Sequence, residues 1–308
     1  MRVLITGGSG FLGGELVRQA LAAGHEVVAT YLTRPGEIAD ADWRPLDLRR
    51  RQDVAALIGA RRPEAVINAA FRQADWTVTA DGAAHVALAV AAAGAHLVHV
   101  SSDAVFSGAR IRYDETCAPD PISPYGAAKA AAETAIKAIC PAAAIARTSL
   151  IVGDGGSSHE GLVHALVTGR RQGVLFTDDI RCPVHVADLA AALLELAGSG
   201  HAGVHHVAGA DAVSRYDLGL LIAERDGLDP SALPRGRRAD TGIPGPLDVR
   251  LDGAATRRRL RTVLRGARRF LRPGESPAAA AVPADERRDV SPREWPGPCR
   301  SGTGRAPR

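Results

Sequence analysis

Arg2-Val3-Leu4-Ile5-Thr6-Gly7-Gly8-Ser9-Gly10-Phe11-Leu12-Gly13-Gly14 opens the chain almost from its first residue. The run before Gly7 is apolar and β-branched, which reads as a buried strand. Residues 15–23 follow with helical spacing, Leu16, Val17, Ala20 and Leu21 forming one stripe. Gly24 then stops the helix. Between strand and helix lie Gly7, Gly10 and Gly13, three apart. Glycines there permit a tight turn and let the backbone approach a pyrophosphate, which rests at the positive end of the helix.

Strands and helices keep alternating downstream. Residues 26–30, 65–68, 96–101 and 142–147 read as strands; 82–93 and 124–139 read as helices. This order predicts a parallel sheet covered on both faces. After residue 150 the pattern loosens. Gly153 to Ser158 reads as a flexible loop, and 160–169, 186–196 and 216–226 as helices. A basic amphipathic helix is expected over 257–271. The fold class expected is α/β: a Rossmann-type doubly wound parallel sheet with a smaller C-terminal substrate-binding lobe. Residues 1–152 form the nucleotide-binding domain, with 183–209 returning to it. Residues 153–182 and 210–272 form the lobe. The last 36 residues, 273–308, hold seven prolines and mixed charge, and are expected to be a disordered Pro/Arg-rich tail.

The second strand runs out into Thr30-Tyr31-Leu32-Thr33-Arg34. A carboxylate here would hold a ribose 2′-hydroxyl and favour NAD. None is present, and the fork of Arg34 suits a 2′-phosphate. NADP, as NADPH, is therefore the preferred cofactor, with NAD as the alternative.

Lysine is scarce. Of 38 basic Lys and Arg residues, only Lys129 and Lys137 are lysine. Lys129 stands four residues after Tyr125 in Tyr125-Gly126-Ala127-Ala128-Lys129, one turn along one helix face. A compact ammonium there is expected to lower the phenol's pKa toward the working pH. Such a phenol can exchange a proton with a carbonyl or carbinol.

Composition narrows the alternatives. The net charge of +4 offsets 38 basic against 34 acidic residues, which suits an Arg-rich solvated surface better than a nucleic-acid face. Cys117, Cys140, Cys182 and Cys299 form no Cys-x-x-Cys pair and read as free thiols of a reducing cytoplasm. No run has the length and apolarity of a membrane span. His205-His206 lacks a third ligand at useful spacing, so no metal site is expected and the pair reads as part of a strand. Arg181 fits either a diphosphate contact or structural pairing.

With these motifs on the page, residues 1–272 resemble the extended short-chain dehydrogenase/reductases, and within them the dTDP-4-dehydrorhamnose reductase group. The resemblance rests also on Asp47-Leu48, Asn68-Ala69-Ala70, Val100 to Gly108, Arg147-Thr148-Ser149 and Pro183 to Ala190. It implies that Gly7, Gly10, Phe11, Leu12 and Gly13 cradle the cofactor. Asp47, with Leu48, would meet the adenine. Asn68, Ala69 and Ala70 would line the ribose. Ser102 would hydrogen-bond the substrate carbonyl, with Ser101 as the competing choice. Tyr125 would give the proton, and Lys129 would bind the nicotinamide ribose. The implied activity is NADPH-dependent reduction of a 4-keto nucleotide-linked deoxysugar, with a homodimer as a further expectation. An epimerase, a reductase of a non-sugar carbonyl and a non-catalytic NADP-binding regulatory subunit are the alternatives. The group often has Tyr at the position of Ala104, which leaves the substrate open rather than the reaction.

Overall fold

β-branched residues bury well in a two-sided parallel sheet, and the strands here are built from them. The computed structural model describes residues 1–242 and 244–273. Seven parallel strands form its centre. They are β1 (Arg2–Thr6), β2 (Glu26–Tyr31), β3 (Asp42–Pro45), β4 (Ala65–Asn68), β5 (His96–Ser102), β6 (Ala144–Thr148) and β7 (Gly203–His206). Their order is β7-β6-β5-β4-β1-β2-β3, reversing direction at β1/β4, the crevice where such sheets bind ligands.

Helices cover both faces. Leu12, Leu16 and Val17 of α1 (Phe11–Ala22) share one apolar layer with Leu189, Leu193 and Leu196 of α6 (Val186–Ser199). On the other face, α2 (Arg51–Arg61), α3 (Gly82–Ala93) and α4 (Pro124–Ile139) cover Leu4, Val66, Leu97 and Ile145. The expected doubly wound sheet is what forms, and β7 extends it as the seventh strand.

Beyond β6, a separate apolar cluster joins α5 (Ser158–Val167) and α7 (Arg215–Arg225) through Val163, Leu166, Leu218 and Ile222. The loop before α5 is tied down. Glu160, itself buried, accepts from the backbone N–H of Gly153, Gly155 and Ser157 at 3.3, 2.9 and 3.0 Å, and pairs with Arg225 at 2.8 Å. Gly155 and Gly156 take φ of +100° and +88° there, which glycine does without strain.

The single helix expected over 257–271 is not found. Two short helices, Ala254–Arg259 and Ala267–Phe270, flank a non-helical link. Carboxylates of α6 capture the backbone groups a helix would have used. Glu195 accepts from the N–H of Arg261 and Thr262, and Asp188 from that of Arg265. The tail, expected to be disordered, lies outside the described residues beyond Pro273.

Candidate active site

The turn after β1 is built by close approach. A Cβ at Gly7, where φ is +70°, would come within 2.9 Å of Ala70 Cα, and one at Gly13 would overlap the Gly7 carbonyl. Helix α1 therefore sits hard on the turn, and β4 ends beside it. The N-cap of α1 is Gly10, and no side chain caps it. Its free N–H groups and positive dipole end make an anion cradle. That cradle fits a dinucleotide pyrophosphate. Phe11 borders it exposed, whereas Leu12 points into the core. Gly8, outside the three-glycine spacing, is also constrained: a Cβ there would meet Ala29 and Trp43.

Other expected cofactor residues are placed unevenly. Arg34 is exposed and carries no ion pair among the described residues. Asp47 takes Arg49 in a bidentate pair, with Nη2 to Oδ2 at 2.7 Å, which holds its carboxyl below the ordinary value. Leu48 packs in the core under α2 and α3. Asn68 is buried with both ends of its side chain occupied: Thr6 Oγ1 donates to Oδ1 at 2.6 Å and Nδ2 pairs with His99 Nδ1 at 3.2 Å. Its side chain thus ties β1, β4 and β5 together, and the backbone of Ala69 and Ala70 borders the crevice.

The catalytic candidates come from β5 and α4. Ser123 caps α4 by accepting from Gly126 N–H at 3.1 Å, and Pro124 sets the first turn. A side chain at Gly126 would overlap the Ala104 carbonyl, so the helix start lies against the turn after Ser102. This sets the Tyr125 phenol beside the Ser102 hydroxyl. Ser102 Oγ also accepts from Ala104 N–H at 3.1 Å and faces Asp103 Oδ1 at 3.3 Å. Ser101 points the other way, donating to Glu133 Oε1 at 2.6 Å deep under α4. Of the two serines, Ser102 is the one beside Tyr125.

Lys129 is 2% exposed and donates to the Val100 carbonyl at 2.9 Å. Burial pulls its ammonium down to about 8, with Glu133 one turn further opposing the fall. Lys129 is not among the groups that shift the Tyr125 phenol. Burial pushes the Tyr125 phenol up, the Ser102 contact works against this, and Asp103 adds to it. The phenol stays protonated, as a proton donor requires.

A buried frame that the motifs did not reveal holds these groups. Arg147, 1% exposed, grips Glu133 bidentately at 2.9 and 2.7 Å and donates to the Cys117 carbonyl at 3.1 Å. Ser149 donates to Asp103 Oδ2 at 2.6 Å. Arg181 is buried and spends its guanidinium on Asp179 and the carbonyls of Ile180, Leu247 and Pro246, so structural pairing is its role. His205 and His206 lie on β7, as expected, with His206 Nδ1 against the Asp252 carbonyl at 3.1 Å. Phe71 was missed too; its only signal was an aromatic directly after Asn68-Ala69-Ala70.

Comparison with known proteins agrees with this geometry. A dTDP-4-dehydrorhamnose reductase from Mycobacterium tuberculosis is 32% identical over 262 residues, covering 80% of this chain and 82% of that one. Among solved structures, a hypothetical dTDP-4-dehydrorhamnose reductase from Sulfolobus tokodaii is similar with a TM-score of 0.74 at 32% identity, over 85% of this chain and 96% of that one. The dTDP-4-dehydrorhamnose reductase from Bacillus anthracis, solved in complex with NADP, shares the fold with a TM-score of 0.77 at 24% identity, over 88% and 96%. The family model described as the RmlD substrate binding domain matches residues 1–269. A glycine cradle after β1, a Ser102–Tyr125 contact, a buried Lys129 and this match over most of the chain have one reading: the chain belongs to the RmlD substrate binding domain family.

Proposed function

We propose that this chain is an NADPH-dependent reductase of the 4-keto group of a nucleotide-linked deoxysugar. The carrying observation is the Tyr125 phenol beside Ser102, with buried Lys129 one turn away. NADPH, when bound, supplies the hydride. The turn at Gly7, Gly10 and Gly13 would hold its pyrophosphate, Arg34 its 2′-phosphate, and Asp47 its adenine. Lys129 spends one N–H on Val100 and has two left for ribose hydroxyls. Ser102 would donate to the keto oxygen and fix its position. As the carbonyl carbon takes the hydride, negative charge gathers on that oxygen, and Tyr125 passes it the phenolic proton. Ketone, hydride and proton balance to a secondary alcohol.

In this reading residues 1–152 and 183–209 hold the cofactor, and 153–182 with 210–272 take the nucleotide sugar. The free thiols of Cys117, Cys140 and Cys182 suit a cytoplasmic location. No described helix is long and apolar enough to cross a membrane. A homodimer completes the proposal, to be checked by sedimentation.

NADPH oxidation, followed by absorbance across a panel of 4-keto nucleotide sugars, tests the activity. Turnover of at least one dTDP-linked member is expected. Tight NADPH binding with no turnover on any member would favour a non-catalytic binding subunit instead.

A further inference from the structure

Phe71 follows directly on Ala70 and is 50% exposed, in a chain where aromatics are only 4% of residues. Its ring centroid lies 5.1 Å from Lys129 Nζ and 5.8 Å from the ring of Tyr125, tilted by 46°. One ring therefore touches both candidate catalytic side chains of α4, and it does so from outside the helix. We propose that Phe71 is a positioning residue of this site: its face holds the Lys129 ammonium and its tilted contact with the Tyr125 ring keeps the phenol turned toward Ser102. The proposal rests on the reductase reading above.

The chemistry of the contact favours this over simple packing. Lys129 is almost fully buried with one carbonyl as its direct partner. Its charge must be stabilised without exhausting its donors. A carboxylate in contact would do so by binding the N–H groups and drawing the head away from the crevice. An aromatic face attracts the cation through its quadrupole and takes no directional hydrogen bond of comparable strength. The N–H groups stay available for ribose hydroxyls. A leucine would cover similar area with no such attraction.

The other ionisable groups around Lys129 are few. Glu133 lies a turn along α4 and Tyr125 a turn back. On β5, His99 is held neutral by burial and by the Lys129 charge, and Asp103 follows in the next turn. Helix α3 and the turn before it bring His85, bonded to the Leu48 carbonyl, and exposed Asp81. Phe71 can therefore be tested against a small, named background.

Having only two lysines makes the test direct. Full-length protein grown with [ε-13C]lysine gives two signals, and Lys137→Arg assigns them. Lys129 is expected to titrate near 8. In Phe71→Leu its midpoint should move down by about half a pH unit or more, and kcat should fall several-fold with a rise in KM for NADPH. Phe71→Trp, which keeps a π face, should restore both. An unchanged Lys129 midpoint in Phe71→Leu overturns the proposal, as does a rise in the sugar's KM with no change in that midpoint. The titration needs no substrate. It therefore judges Phe71 even where the substrate panel gives no turnover, and the two failures stay distinct.

Discussion

Tyr125 is a phenol that its surroundings keep protonated, and its chemistry follows from that. Burial raises it, so the proton is present throughout the neutral range and leaves only when a strongly basic oxygen develops beside it. Tyr125→Phe should lower kcat by about 10²- to 10⁴-fold, the span of general-acid contributions, with NADPH affinity by fluorescence unchanged; wild-type turnover would remove Tyr125 from the mechanism. Lys129 sets the pH dependence. Its folded value is depressed from 10.5 to about 8, so it is charged below that pH and neutral above. The KM for NADPH should be flat below pH 8 and climb above it. A flat profile well past that point would show that the ammonium does not hold the cofactor. Ser102, Tyr125 and Lys129 were legible in the sequence because few residue types do their chemistry and their spacing is specific. Asn68 and Leu48 read less well, because a motif gives a position and not a direction. Their side chains are spent inside the sheet and core. What burial does to Tyr125 was not legible for a related reason: adjacency of an ammonium is visible in sequence, whereas desolvation is not.

At the scale of elements, legibility followed the burial stripe. Helix α4 could be placed over 124–139 because Pro124 sets its first turn and a long Ala-rich stretch follows. Helix α2 escaped notice because only Val54 and Ile58 of its eleven residues are buried. Strand β3 escaped because it is a short edge strand with no buried residue. The basic stretch over 257–271 carries helical periodicity, yet Glu195 and Asp188 out-compete the helix for its N–H groups. Local propensity yields there to tertiary hydrogen bonds. The loop 153–157 makes the same point in reverse. Its glycines suggest freedom, but the Glu160 carboxylate gathers three of its N–H groups and the Arg225 guanidinium. Glu160→Gln should leave that guanidinium to Asp226 and the Gly153 carbonyl, weaken the loop's charge-assisted hydrogen bonds and cost about 2 kcal/mol of stability. Equilibrium unfolding in urea would measure it; a loss within experimental error would show that the loop does not depend on this carboxylate.

Across the whole molecule, the core contains imidazoles whose burial favours the neutral form. His99 lies on β5, and His205 and His206 on β7; all three are completely buried. No hydrogen bond of ordinary length reaches either ring nitrogen of His205, and burial, then Arg259 and His201, pull it down to about 4 against the weaker pulls of the Ala202 backbone and Glu115. A group depressed on folding binds more protons in the unfolded chain. Its contribution is therefore intact above its unfolded value of 6.5 and is lost as pH falls toward 4. For one such site the loss approaches about 1.4 kcal/mol per pH unit within that window. The depressed carboxylates, Glu160 and Asp226 among them, titrate below the ordinary carboxylate values of 4.5 and 3.8. Down to about pH 5 the histidines thus dominate the acid response. His205→Phe removes the titration while keeping a ring of similar size, and deletes two unsatisfied polar atoms. The urea midpoint of the wild-type chain should fall between pH 7 and pH 5, and that of His205→Phe should fall markedly less. Parallel pH dependences in the two proteins would show that His205 reaches water in the folded state, and would move the acid sensitivity to His99, His159 or His206.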